Sequence, residues 1–288
     1  MKSIIGVYNA PAPHWVGDGF PVRSLFTYDT RSVPVSPFLM LDYAGPTQFA
    51  PNPGEPRGVG AHPHRGFETV TIVYAGEVAH RDSSGGGGVI GPGDVQWMTA
   101  GDGIVHEEYH SEAYSATGGP FEMVQLWVNL PAAHKRAPAA YQALRAAEIP
   151  VVKLADDAGE IRVIAGEVEG QGGAARTFSP VNVWDLRLKR DRRAALQVPE
   201  GHTLLVVALD GTLQVNDDSI VRAGQMAALT PTGQDFMLEA NADAKVLVLS
   251  GQPLDEPVVG YGPFVMNSQA EIREAIHDFN SGRLGRPR

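Results

Sequence analysis

Glycine and proline break the chain at short intervals, and between the breaks lie runs of β-branched and aromatic residues of strand length. Ser3 to Tyr8, Val22 to Tyr28, Phe38 to Tyr43, Glu68 to Ala75, Val95 to Thr99 and Glu122 to Asn129 form a first series. A second comprises Ile161 to Gly166, Val181 to Leu188, His202 to Ala208, Thr212 to Val215, Met226 to Leu229 and Ala244 to Leu249. Many short strands at close spacing predict sandwiches or barrels rather than β-α-β units, and 33 glycines and 22 prolines in 288 residues supply the turns. The two halves are of similar length, which suggests a duplicated all-β architecture, although they share no obvious motif.

Two segments depart from this pattern. Leu130 to Pro150 is rich in Ala, Leu, Lys and Arg, with Tyr141, Leu144 and Ala147 on one helical face between Pro138 and Pro150. The expectation is a linker over 136–150 carrying one short helix, between an N-terminal domain at 1–135 and a C-terminal domain at 151–288. Near the end, Ser268-Gln269-Ala270-Glu271 forms a capping box, Ile272, Ala275, Ile276 and Phe279 an apolar stripe, and Gly282 a stop. This predicts a C-terminal helix docked on a β-domain.

Composition narrows the function. Hydrophobic residues at 43% and charged ones at 19% fit a folded protein long enough for two cores. A net charge of −10 disfavours nucleic acid as a direct partner, since that affinity rests on clustered Lys and Arg. The basic stretches Lys189 to Arg193 and Arg283 to Arg288 read as solvated loops or strand ends, and Gly85 to Gly88 as a flexible loop. The absence of cysteine excludes disulfides, thiolate metal sites and cysteine nucleophiles. No run approaches the roughly 20 apolar residues of a membrane span. The start MKSIIGVYNAPAPHW has too short an apolar run for a secretory signal, so the expected compartment is the cytoplasm, with no membrane partner.

Six of the nine histidines fall between His62 and His134. In GAHPHRGFETV, His62 and His64 are two apart, and residues i and i+2 of a strand share a face. In GIVHEEYH the same parity joins His106 to Glu108 and turns Glu107 away. A single H-x-H pair is more often a surface or hydrogen-bonding feature. Two H-x-[H/E] pairs on strand-like segments framed by glycines point to a metal ion. Three neutral imidazoles and a carboxylate suit Fe, Mn, Ni, Co, Cu or Zn, and an incomplete shell leaves positions for water or substrate. In the C-terminal half His202 has no such companion and reads as structural.

The first segment, G-x-H-x-H-x3-E with Gly76 beyond it, resembles the first cupin motif. The strings HPHRGFETVT, GDVQWMTAGDGIVHEE, QLWVNLP and YGPFVMNS resemble pirin, and HWVGDGFPVRSLF extends the likeness over nearly the whole chain. That resemblance implies a bicupin, two β-barrels facing each other with metal in the N-terminal one only, and ligands at His62, His64, His106 and Glu108. It departs from the generic cupin pattern, which takes its carboxylate from the Glu after H-x-H, here Glu68. Thr99-Ala100-Gly101 and four further residues precede His106 instead, and this leaves Glu68 for strand packing or the metal's surroundings, with ligation as the alternative.

The resemblance also supplies a reaction, because pirins are described as quercetin 2,3-dioxygenases that cleave a flavonol with O2 and release CO. A metal can act as a Lewis acid on a bound hydroxyketone, with Glu108 as general base. Redox capability favours Fe, Cu, Mn, Ni or Co over Zn, and the expected ion is one divalent metal, iron first, with Mn, Ni, Co, Cu and Zn as alternatives. The expected partners are a flavonol-like small molecule and O2, with the chain a monomer. The rival reading is a metal- and redox-responsive regulator that binds transcription factors or metabolic enzymes. A third is a metal-stabilised domain without turnover.

Overall fold

The computed structural model describes residues 1–30 and 33–287, and Arg288 of the basic tail lies outside them. In chain order the first strands are β1 (Ile4–Asn9), β2 (His14–Val16), β3 (Phe20–Thr27), β4 (Phe38–Phe49), β5 (Gly58–His64) and β6 (Phe67–Ala75). There follow β7 (Val78–Asp82), β8 (Gly87–Ile90), β9 (Val95–Thr99), β10 (Ile104–His110), β11 (Gly119–Asn129) and β12 (Ala140–Leu144). The α-helices among the described residues are α1 (Glu112–Thr117) and α2 (Gln269–Asn280). The all-β expectation holds, and no described helix is long and apolar enough to cross a membrane.

The residues divide into two compact units, neither continuous in sequence. One comprises Ala12–Tyr28, Phe38–Ala146 and Asp255–Arg288; the other comprises Met1–Pro11, Asp29–Pro37 and Ala147–Leu254. This grouping differs at both chain ends from the division 1–135 and 151–288 read from the sequence. Pairing explains the first difference: β1 lies antiparallel to Gln225–Leu229, with Val7 opposite Ala227. Lys2, buried, anchors it by donating from Nζ to the carbonyls of His202, Thr230 and Pro231. That unit is a seven-stranded sheet and a four-stranded sheet around a core including Trp184, Leu186, Leu204, Val206, Phe236 and Val246.

The unit of Phe38–Ala146 is built likewise. A seven-stranded antiparallel sheet of order β12-β9-β6-β11-β4-β3-β2 accompanies a four-stranded sheet of order β5-β10-β7-β8. Phe20, Val22, Phe49, Val73, Val78 and Phe121 from both sheets form one of its apolar clusters. Alternation is clean on the smaller sheet: in β7, Val78, His80 and Asp82 are buried while Arg81 is exposed. In β10, His106, Glu108 and His110 are buried between the more open Glu107 and Tyr109. By contrast β6 is buried without a break from Phe67 to Val73, as a strand covered on both faces must be.

The 136–150 segment corrects the sequence reading. Ala140–Leu144 is not helical but an edge strand, with Ala140 opposite Thr99 and Leu144 opposite Val95. Only a 3-10 turn at Ala146–Glu148 follows. Helix propensity is a weak preference, and the ladder offered by β9 outweighs it. Tyr141 and Leu144 therefore face opposite sides of a strand rather than one side of a helix.

The C-terminal helix forms as expected. Ser268 caps α2 by accepting from the Glu271 N–H at 3.3 Å, and Ile272 and Ala275 are buried. Its docking site is the unit of Phe38–Ala146, where Ile272 and Ala275 meet Val105, Phe264 and Met266. Asp278 at its far end pairs with Arg65 at 3.0 Å, both side chains 2% exposed. Removing one partner of a buried ion pair leaves an uncompensated charge and costs about 3–5 kcal/mol. Asp278→Ala should therefore lower the unfolding free energy by about 3 kcal/mol in urea titrations. Asp102→Ala, which removes a half-exposed partner of the same arginine, should cost below about 1 kcal/mol. Equal effects would show that burial of the Arg65–Asp278 pair carries no special weight.

Candidate metal centre

Strand β10 is the middle of the site. It pairs with β5 on one side, placing His106 opposite His62, and with β7 on the other, placing Glu108 opposite His80 and His106 opposite Asp82. The two-residue period then turns His62, His64, His80, Asp82, His106 and Glu108 inward together. Ring centroids lie 4.9 Å apart for His62–His64, 4.3 Å for His62–His106 and 4.8 Å for His64–His106. Among the described residues two groups have ligand atoms within 4.8 Å of one another: His62, His64 and His106, and His80, His106 and Glu108. The structure thus gathers the three expected imidazoles, while Glu108 is grouped with them through His106. The second unit holds no such group among the described residues. There His202 Nδ1 lies 3.2 Å from the Ser250 hydroxyl, a structural contact as expected.

The facing sheet supplies the other wall. Gln125, in register with Thr71, donates from Nε2 to Glu108 Oε2 at 3.3 Å, and the Thr71 hydroxyl lies 3.5 Å from Glu108 Oε1. Phe67 and Trp127 stack with centroids 4.3 Å apart, and both rings abut His64. A separate groove of about 780 Å³ is lined by the outward residues Ala79, Arg81, Glu107 and Tyr109 together with neighbours that include His80 and His110. It follows the outer face of the small sheet and is not this site.

Burial, reinforced by neighbouring imidazoles, holds His64 and His106 well below the usual histidine range. Both are therefore neutral, the form a metal needs. The Gly60 carbonyl, 2.8 Å from His62 Nδ1, can only accept, so Nδ1 of His62 carries a hydrogen and Nε2 is the nitrogen left to face the cluster. His64 Nδ1 and His106 Nε2 are buried with no hydrogen-bond partner. A buried polar atom left so is costly and calls for a missing partner, and bare nitrogens of neutral imidazoles beside a carboxylate fit a divalent transition ion.

Two residues of this face escaped the sequence reading. Ala79-His80-Arg81-Asp82 is itself an H-x-acid pair on a strand, so the parity rule that selected the other pairs would have found it. Its carboxylate is well held. Burial alone would push the Asp82 carboxyl up, but hydrogen bonds from His80, Ser84 and Gly86 outweigh it and hold it below the usual range.

Glu68 lies on the opposite face of β6 from Phe67 and Thr71. It accepts from the Thr99 hydroxyl at 2.8 Å across the ladder, so the strand-packing reading describes it. Burial pushes its carboxyl up to about 7, against the hydrogen bonds that favour the charge.

Two β-sheet units, one of them with histidines paired on inward-facing strands, define a cupin-type fold with one candidate metal centre. The sequence matches the family model Pirin over residues 19–128 and Pirin C-terminal cupin domain over 183–285. The chain belongs to the pirin family. A Pseudomonas aeruginosa protein named "Putative quercetin 2,3-dioxygenase" is 60% identical over 284 residues, 99% of each chain. Rat pirin is 37% identical over 258 residues, covering 87% of this chain and 83% of its own. The crystal structure of a quercetin 2,3-dioxygenase from Acinetobacter baumannii superposes with a TM-score of 0.96 at 57% identity, covering 99% of both chains.

Glu68 gives a pH test with a definite sign. Its folded pKa of about 7 exceeds the ordinary 4.5, so the folded protein holds this proton more tightly than the unfolded chain. Stability from this source is full below about 4.5 and is lost as pH rises through about 7. Relative to Glu68→Gln, the wild type should lose on the order of 3 kcal/mol between pH 4.5 and 8, at about 1.4 kcal/mol per unit shift. Both proteins should bind metal alike. Parallel stability profiles, or weakened metal binding in the variant, would return Glu68 to the site.

Proposed function

We propose that the protein is a metal-dependent dioxygenase of the quercetin 2,3-dioxygenase type, holding one divalent ion at His62, His64, His106 and Glu108. The observation that carries this reading is the convergence of three imidazoles, those of His64 and His106 buried and neutral, beside a carboxylate, in a chain aligned end to end with relatives bearing that name. Iron is the first candidate, followed by Mn, Ni, Co, Cu and Zn.

The bound ion supplies Lewis acidity toward a hydroxyketone and a route for electrons to O2. The residues themselves do the rest. Glu108 accepts the flavonol hydroxyl proton on a carboxylate oxygen, becoming a neutral acid. Gln125 holds that carboxylate from the facing sheet and is itself held through its amide oxygen by the Thr71 hydroxyl, which fixes the direction before substrate arrives. The Phe67–Trp127 stack beside His64 offers flat apolar surface to an aromatic substrate and keeps water from the imidazoles. The partners on this reading are a flavonol-like small molecule and O2, which lead to heterocycle cleavage with CO release.

Elemental analysis of the intact chain should find about one ion, and His62→Ala or His106→Ala should bind little while keeping the fold. Iron-loaded protein given quercetin under O2 should consume the flavonol and release CO. Glu108→Gln should lose that turnover, because an amide is no base at this pH. Retained metal in both histidine variants would overturn the ligand set. Bound metal without flavonol loss would leave a regulator as the better description.

A further inference from the structure

A neutral histidine presents a lone pair on only one ring nitrogen, so the use of His106 as a ligand depends on what holds its proton on the other. The group facing that other nitrogen is His80, to which the reading above gives no part in holding the ion.

Asp82 sets the direction. Its Oδ1 accepts from the Ser84 N–H at 2.8 Å, the Ser84 hydroxyl at 2.6 Å and the Gly86 N–H at 3.0 Å. Its Oδ2 lies 3.2 Å from His80 Nε2. A carboxylate can only accept, so His80 Nε2 carries a hydrogen and points it at Asp82, which leaves Nδ1 as the nitrogen able to accept. That Nδ1 receives the Gln96 amide at 3.0 Å and stands 3.3 Å from His106 Nδ1. Gln96 is oriented for this, because its oxygen faces the Tyr141 hydroxyl at 3.4 Å. The Tyr141 ring stacks on His80 at 5.4 Å and 28°, which fixes the imidazole plane. Two bare nitrogens would repel at such a distance, so His106 Nδ1 carries a hydrogen and His106 Nε2 keeps its lone pair. That Nε2 is the buried atom without a partner.

We infer that Asp82 and His80 are a positioning pair that fixes His106 in its Nδ1–H tautomer and so presents the bare Nε2 to the cluster with His62 and His64. The pair plays for His106 the part that the Gly60 carbonyl plays for His62. The inference rests on His106 being a ligand, but the tautomer is a property of the metal-free protein and is measured without any ion.

The test uses histidine labelled with 15N in the full chain, stripped of metal, with the His106 signals assigned by their loss in His106→Ala. Long-range 1H–15N correlation then reads which ring nitrogen bears the hydrogen. Wild type should show His106 protonated at Nδ1. His80→Ala should move His106 toward the Nε2–H form and weaken metal binding, read by chelator competition, about 10–100-fold. His80→Gln, whose carbonyl can accept from His106 Nδ1–H, should restore both the tautomer and the affinity. A metal-free wild type with His106 protonated at Nε2 would overturn the inference, as would a His80→Ala protein unchanged in both respects. His80→Gln losing metal as severely as His106→Ala would also overturn it, since His80 would then be a ligand. If His106→Ala bound metal as tightly as wild type, the ligand reading itself would fall, whichever tautomer the spectra showed.

Discussion

Everything in the candidate centre depends on the register of one strand. With β10 held between β5 and β7, the antiparallel ladder aligns His106 with His62 and Asp82, and Glu108 with His80. A slip of one residue would turn Glu107 and Tyr109 inward and expose the histidines on the outer face. The register is defended from both sides. Inward, the imidazoles and carboxylates have partners only in this alignment. Outward, Glu107 pairs with Arg81 across the same ladder. The bulge between His106 and Glu108 on the β5 side does not disturb the pairing with β7.

This face is costly to bury. Four imidazoles and two carboxylates lie within one barrel, and hydrogen bonds to water are lost for each. Most of the deficit is recovered locally: Asp82 is saturated by the turn that follows it, His62 donates to its own strand's carbonyl, and Glu108 accepts from Gln125. His64 Nδ1 and His106 Nε2 are left over. An unsatisfied buried group costs about 1–3 kcal/mol, so the metal-free protein carries a penalty that an ion binding only the folded state would relieve. The apolar walls resist collapse onto the gap, because Phe67 and Trp127 are stacked on each other and cannot pivot to fill it.

How much of this was legible in the sequence depends on whether the signal was local. Strand parity is local, and it selected His62, His64, His106 and Glu108 and turned Glu107 away. The capping box of α2 is local too. His80 and Asp82 are equally legible by the same parity, although they lie outside the cupin-like strings. Other features were not local at all. Tyr141 reads as helical from its neighbours, and only the ladder with β9 makes it a strand residue lying on His80. The exchange of chain ends was likewise invisible, since β1 finds its partner more than 200 residues away and nothing in Ile4–Asn9 names Gln225–Leu229.

The string HPHRGFET shows why a specific sequence need not mean that every residue touches the metal. His62 and His64 face the cluster. Arg65, next in line, is directed elsewhere, to Asp278 of α2 and to the Asp102 carbonyl. Gly66 takes φ +91°, and a Cβ there would lie 2.0 Å from the Val265 carbonyl oxygen, so only glycine lets that strand approach. Lys135 then bridges the approach, donating to the carbonyls of Gly66 and Val265. Phe67 returns to the site as a wall, Glu68 faces away to Thr99, and Thr69 resumes the inner parity. The turn between β5 and β6 is thus clamped by the C-terminal segment at the residue after His64. The position of that imidazole is therefore set by residues beyond 260 as much as by its own strand, and a chain ending after β12 would contain all four proposed ligands but lack this clamp.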